Sequence, residues 1–104
     1  MTLVDDSTLS REVALQLLSA HKAVLAAQFG VKELALFGST ARDCAHKDSD
    51  VDILVTFEGP ASAGRYFGVL FYLEDLLRRP VDLVTEKGLR QELRNYVERE
   101  AIHV

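Results

Sequence analysis

The segment from residue 50 to residue 57 alternates between apolar residues and residues that are mostly polar. A period of two places successive side chains on opposite faces of an extended chain, so the segment is predicted to be a half-buried β-strand. The core-facing residues are Val51, Ile53, Val55 and Phe57. The opposite face carries Asp50, Asp52, Leu54 and Thr56. A fold built around this strand must bury one face and present two carboxylates on the other.

The rest of the chain alternates between helical and extended patterns. Apolar residues that recur every three to four positions predict amphipathic helices, and short apolar runs next to Gly or Pro predict further strands. The predicted helices cover about 10–29, 39–42, 62–77 and 87–100, and the predicted strands cover 33–37, 50–57 and 81–85. The large apolar residues Phe67, Phe71 and Leu93 are expected to face the sheet. This order predicts one α/β (α+β) domain over residues 1–104, with helices packed on a small mixed sheet of about three strands.

The composition narrows the classes of function. A net charge of −4, with no basic cluster beyond Arg78 and Arg79, argues against an extended nucleic acid as the main partner. A nucleotide that brings its own divalent cations remains compatible, because the metals supply the positive charge. The chain has one cysteine, no leader-like start and no apolar run long enough for a membrane helix, which predicts a cytoplasmic protein without a membrane segment. Cys44 and His46 have no further Cys or His nearby at metal-ligand spacing and are interpreted as ordinary loop residues.

Asp50 and Asp52 leave the same face of one predicted strand, roughly 6.5–7 Å apart. At an effective dielectric constant near 20, two such charges repel by about 2–2.5 kcal/mol, and a divalent cation would convert that repulsion into attraction. Asp82 begins the next strand and could complete the cluster across the sheet. Taken alone, an Asp-x-Asp pair on a half-exposed strand is more often solvated than metal-bound.

The residues just upstream favour a phosphate-binding function. Gly38 and Ser39 end an apolar strand in a turn that opens a short helix, and such a turn offers backbone N–H groups and a hydroxyl to a phosphate. Arg42 follows three residues later and could add a forked donor for a polyphosphate. Each feature alone is more simply a turn or a surface residue, so the prediction depends on their combination with the carboxylates.

The combination resembles a known signature. Leu-Phe-Gly-Ser-Thr-Ala-Arg at residues 36–42, followed by a short loop and Ser-Asp-Val-Asp-Ile-Leu-Val at residues 49–55, resembles the motif of the polymerase-beta-like nucleotidyltransferase superfamily. In particular it is similar to the minimal nucleotidyltransferase (MNT) family of prokaryotes. The resemblance extends through residues 81–84 to the last helix and so covers most of the chain.

The resemblance implies roles for these residues. Gly38 and Ser39 would hold the nucleotide phosphates, assisted by Arg42. The carboxylates Asp50 and Asp52 would bind two Mg²⁺ ions. Asp82 would complete one metal site and help to activate the attacking hydroxyl. The substrate would be ATP, and the fold would be that of the polymerase-beta-like nucleotidyltransferases.

The resemblance also implies a partner. Minimal nucleotidyltransferases are commonly paired with a small helical HEPN toxin, which they neutralise as an antitoxin by transferring AMP to a tyrosine or by binding. The leading hypothesis is therefore a protein adenylyltransferase antitoxin of this HEPN-MNT kind, in a homo- or hetero-oligomer. Two alternatives remain open: an antitoxin that acts by contact alone, and the catalytic subunit of a small-molecule nucleotidyltransferase.

One residue departs from the family pattern. Asp43 stands where the family usually has Gly. An extra negative charge there could weaken nucleotide binding, which would favour the contact-only alternative, or could point to solvent.

Overall fold

The computed structural model describes residues 9–43 and 49–104, so Cys44 and His46 lie outside the described residues. Within these two ranges, four helices and four strands follow one another. The helices are α1 (Arg11–Phe29), α2 (Gly38–Ala41), α3 (Ala63–Leu77) and α4 (Gln91–Glu100). The strands are β1 (Val31–Phe37), β2 (Val51–Phe57), β3 (Val81–Thr85) and β4 (Ile102–His103). No helix within the described ranges is long and apolar enough to span a membrane.

The strands form one mixed sheet in the order β3-β2-β1-β4. Strand β1 runs antiparallel to both β2 and β4, whereas β2 and β3 are parallel. The parallel pair requires a crossover, which α3 supplies between the two strands. The predicted α/β fold with a mixed sheet is thus confirmed. The sheet has four strands rather than about three, because the two-residue β4 is too short to leave a pattern in the sequence.

The two faces of the sheet are covered differently. Helices α1 and α3 pack on one face, where their buried residues form the main core with those of the strands. Helix α4 packs on the other face through Val97, which joins a smaller cluster with Ala35, Phe37, Leu54 and Leu89. Because Asp52 and Asp82 alternate with core residues of β2 and β3, they share the α4 face.

Three apolar residues expected to face the sheet lie largely in solvent instead. Phe67 is 48%, Phe71 62% and Leu93 47% exposed. In α3 the buried stripe consists of Val69, Leu73 and Leu77, four residues apart, and this narrow stripe leaves both phenylalanines on the outer side. Phe67 and Phe71 stack on each other there, with ring centroids 6.0 Å apart.

Arg65, near the start of α3, joins the end of α1 to the segment that follows β2. Its guanidinium donates hydrogen bonds to the backbone carbonyls of Phe29 (2.7 Å), Gly30 (3.1 Å), Glu58 (2.8 Å) and Pro60 (2.5 Å). Gly30 ends α1 in the left-handed conformation, and a Cβ there would overlap the Arg65 guanidinium. One planar cation therefore satisfies four carbonyls from two separate segments.

We expect Arg65→Ala to lower the free energy of unfolding by about 2–3 kcal/mol, because four carbonyls, two of them in partly buried hydrogen bonds, lose a charged donor. Arg65→Lys should recover only part of this loss, since a compact ammonium cannot reach all four carbonyls at once. Urea denaturation of the purified variants measures the effect. Arg90→Ala removes an exposed arginine at the start of α4 and serves as the matched control. A loss for Arg65→Ala no larger than that of the control would contradict this role.

Candidate active site

Two of the three predicted carboxylates lie side by side across the parallel strand pair. The register pairs Asp52 of β2 with Asp82 of β3, while Phe37 at the end of β1 pairs with Asp52 from the other side. Neighbouring strands are about 4.8 Å apart, which brings the two carboxyl groups within hydrogen-bonding reach. Asp50 lies two residues before Asp52, just ahead of β2, and is exposed.

The surroundings of Asp52 favour its protonated form. Burial, followed by the charge of Asp82, a hydrogen bond shared with Asp82 and the charge of Asp50, raises the pKa of Asp52 to about 6. The positive charge of Arg42 acts in the opposite direction. The pair thus carries an electrostatic strain that a cation between the two carboxylates would relieve.

The donor set fits Mg²⁺ bound together with a substrate. Within residues 9–43 and 49–104, no three acidic, histidine or cysteine side chains converge closely enough to form a complete metal site. Mg²⁺ does not require such a cage, because it commonly takes one or two protein carboxylates and completes its shell with water and substrate phosphates. The Asp52–Asp82 pair supplies that number of carboxylates.

Gly38 makes room for the Asp52 carboxylate. It follows β1 directly, has a φ of +74°, and a Cβ at this position would overlap the Asp52 carboxylate. Both the backbone conformation and the close approach therefore require glycine. Ser39, the next residue, is half-buried in α2 and shares this corner of the sheet.

The Arg42 side chain reaches toward α4. Its Nη1 donates a hydrogen bond to the Tyr96 hydroxyl at 2.8 Å and lies 3.5 Å from Glu100 Oε1. The motif did not predict these contacts, because they join residues 54 and 58 positions apart. The sequence offered only one relevant signal, a tyrosine next to Val97 on the predicted last helix.

A groove of about 540 Å³ opens between α4 and the sheet next to the carboxylates. Its floor includes Phe37, Asp82 and Val84. Its wall comes from α4 and the turn before it, namely Gly88, Leu89, Arg90, Leu93, Tyr96 and Val97. The exposure of Leu93 and Tyr96 follows from this position, since both face the groove rather than the sheet.

The Asp43 carboxylate is directed at the start of α1. Its backbone has a φ of +59°, and its Oδ1 accepts a hydrogen bond of 2.9 Å from the backbone N–H of Arg11. The carboxylate thus caps the first turn of α1, where the helix dipole also favours a negative charge. The positive φ explains why glycine suits this position. Asp43 accordingly gives no support to a contact-only antitoxin.

Comparisons with known proteins agree with the motif. Residues 18–104 match the family model described as a nucleotidyltransferase domain. The chain is 44% identical over 88 residues to the protein adenylyltransferase MntA of Thermococcus cleftensis, with 85% of this chain and 89% of that protein covered. A structure solved for a protein assigned as a minimal nucleotidyltransferase superposes with a TM-score of 0.79 at 38% identity, covering 92% of this chain and 97% of the other.

A more distant neighbour shares the fold. It is the MNT antitoxin complex with a tri-AMPylated HEPN toxin of Shewanella oneidensis, with a TM-score of 0.57 at 19% identity, covering 89% of this chain and 66% of the other.

The raised pKa of Asp52 predicts a pH-dependent stability of the metal-free protein. Because the folded state binds this proton more tightly than the unfolded state, the stabilisation is complete below about pH 4 and is lost as the pH rises through about 6. The free energy of unfolding of Asp52→Asn should therefore be about 1 kcal/mol higher than that of wild type at pH 8, and the difference should narrow toward pH 4. The difference is small because solvent screens this half-buried group. Urea denaturation in EDTA at several pH values measures the gap. Asp75→Asn, an exposed carboxylate on α3, should show no such trend; a constant gap for Asp52→Asn would refute the prediction.

Two substitutions distinguish the stabilising hydrogen bond from Arg11 to the Asp43 carboxylate from the strain of the positive φ at Asp43. Asp43→Ala removes the cap and keeps the positive φ, so it should cost about 1–2 kcal/mol of unfolding free energy. Asp43→Gly also removes the cap but relieves the strain, so it should stay close to wild type. Thermal and urea denaturation of both variants provide the test. Equal losses in the two variants would show that the left-handed backbone contributes nothing.

Proposed function

The chain belongs to the nucleotidyltransferase family, and we propose that it is a Mg²⁺-dependent protein adenylyltransferase. It would transfer AMP from ATP to a hydroxyl, in our proposal a tyrosine hydroxyl, of a HEPN-type toxin, and so act as the antitoxin of a pair. The observation that carries the proposal is the Asp52–Asp82 pair, whose members lie side by side, with Asp82 on the floor of a groove and Asp52 next to Gly38. Such a reaction draws on cytoplasmic ATP, so we place the protein in the cytoplasm.

The reaction is a displacement at the α-phosphorus. A bond forms between the acceptor oxygen and the α-phosphorus, the bond to the leaving pyrophosphate breaks, and the acceptor hydroxyl gives up its proton. Bound Mg²⁺ would neutralise the phosphates and stabilise the entering and leaving oxygens. In this proposal Asp52 and Asp82, with Asp50 beside them, hold the two Mg²⁺ ions.

The remaining chemistry falls to the protein side chains. Asp82 is exposed on the groove floor, where a hydroxyl from another protein can approach it, and it would help to withdraw the acceptor proton. Gly38, which leaves room for the Asp52 carboxylate, and Ser39 would hold the nucleotide phosphates, with Arg42 assisting. The net negative charge of the chain does not prevent nucleotide binding, because the metal ions that accompany the nucleotide supply positive charge.

Two comparisons support the acceptor class. The relative with 44% identity is named a protein adenylyltransferase, and the neighbour that shares the fold is bound to a HEPN toxin carrying AMP groups. The groove also suits a protein acceptor, since it is open to solvent and bordered by the exposed apolar side chains of Leu93 and Tyr96.

We expect AMP transfer to a protein to depend on the carboxylate pair. Purified protein is incubated with lysate of its source cells, Mg²⁺ and ATP labelled at the α-phosphate. Wild type should label a discrete protein band, and Asp52→Asn or Asp82→Asn should reduce the label about 100-fold or more, because each removes a proposed metal ligand. EDTA should abolish the label, and added Mg²⁺ should restore it.

The control is Asp75→Asn, which removes an exposed carboxylate from α3, on the opposite face of the sheet, and should label as wild type does. Mass spectrometry of the labelled band identifies the acceptor residue. Label in the small-molecule fraction would point to a small-molecule nucleotidyltransferase. Absence of metal-dependent label in both fractions would contradict catalysis and leave neutralisation by contact.

A further inference from the structure

Arg42 contacts α4 through side chains that are partly exposed to solvent. The Arg42 side chain is 47% exposed, and Tyr96 is 42% exposed. They nevertheless meet in a hydrogen bond of 2.8 Å between Nη1 and the phenol oxygen. A free arginine side chain samples many rotamers, and fixing one costs up to about 2 kcal/mol, so an exposed arginine held in this way points to a functional use.

Tyr96 is well placed to fix that rotamer. The next residue, Val97, is 3% exposed and packs with Phe37, Leu54 and Leu89, which holds α4 against the sheet. Tyr96 therefore stands on a firmly seated helix, and its side chain has only two torsions to order. The phenol oxygen accepts one hydrogen bond from a guanidinium that carries five N–H donors.

Glu100 lies one turn further along α4 and makes a different contact. Its Oε1 is 3.5 Å from the same Nη1, a long distance for an ion pair between partly exposed groups. An incoming phosphate can replace this carboxylate, because both are anions that seek the same donor. The Tyr96 contact does not have to break when that exchange occurs.

Arg42 is also electrostatically close to the carboxylates. Its charge acts on Asp52, against the combined effect of burial, Asp82 and Asp50. The guanidinium thus contacts Tyr96 on the wall of the groove whose floor includes Asp82, and its charge reaches Asp52. This is where a phosphate of a nucleotide bound to that pair would be found.

From these contacts, and given the proposed function, we infer that Tyr96 is a positioning residue that holds Arg42 ready for the nucleotide phosphates. Glu100 occupies Arg42 until the phosphates arrive and weakens nucleotide binding by competition. Tyr96 touches no reacting atom in this scheme. It acts through Arg42 alone.

A double-mutant cycle in the AMP-transfer assay tests the inference. Tyr96→Phe removes only the hydroxyl and should raise KM for ATP roughly three- to tenfold, with kcat nearly unchanged, as expected for one lost hydrogen bond to a charged group. In the Arg42→Ala background, the same substitution should have no further effect on KM. Glu100→Gln should lower KM by roughly two- to threefold, because the competing charge is gone.

Matched controls come from the same chain. Tyr72→Phe removes a phenol hydroxyl that contacts His21 at 2.6 Å on the α1–α3 side, and Glu98→Gln removes another carboxylate from α4. Both should leave KM unchanged, and thermal denaturation of Tyr96→Phe should match wild type.

The outcomes separate this inference from the proposed function. A KM increase for Tyr96→Phe that persists in full without Arg42, or no increase at all, overturns the positioning role while AMP transfer by wild type stands. A higher KM for Glu100→Gln overturns the competition. Absence of AMP transfer by wild type overturns the proposed function itself.

Discussion

The parallel pairing of β2 with β3 is the constraint on which the site depends. It sets Asp52 opposite Asp82, so that two like charges share one edge of the α4 face. Sheet hydrogen bonds and the buried residues on the other face hold this register, and the strand pair cannot slip by one residue without turning its core residues into solvent. The repulsion is thus built into the backbone, and it adds to the effect of burial, the larger cause, in raising the pKa of Asp52. Replacing one of the two aspartates by a neutral residue would remove this repulsion and stabilise the fold, so stability alone does not account for the pair.

The residues around this pair fix the shape of the site. Gly38 leaves out a side chain that would overlap Asp52, and α4 supplies a wall at the distance set by Val97. Arg65 works from the opposite side of the sheet. It ties the end of α1 to the segment after β2 and so stabilises the strand that carries Asp52.

The sequence predicted the parts of the site that are local. Asp50, Asp52 and Gly38 could be located because strand alternation and an abrupt Gly-Ser turn are short-range patterns. The side-by-side position of Asp82 could only be suggested, since it depends on the parallel register that the α3 crossover creates. The contact between Arg42 and Tyr96 and the cap from Asp43 to Arg11 were not predictable, because they join residues 54 and 32 positions apart. For the same reason the narrow buried stripe of α3 was missed, since period alone does not tell which apolar residues a helix turns toward its partner.

The short strand β4 has a consequence for how the groove can move. Only Ala101 separates α4 from β4, and β4 pairs with Ala35 and Leu36 of β1, the strand that leads into Gly38. Helix α4 therefore has no linker at its C-terminal end on which to swing as a lid. If this end of α4 is to move away from the sheet, the hydrogen bonds between β4 and β1 must break first. The width of the groove is therefore fixed by strand pairing and does not vary gradually through bending of a hinge. A groove of fixed width admits only those acceptor segments whose shape already fits it.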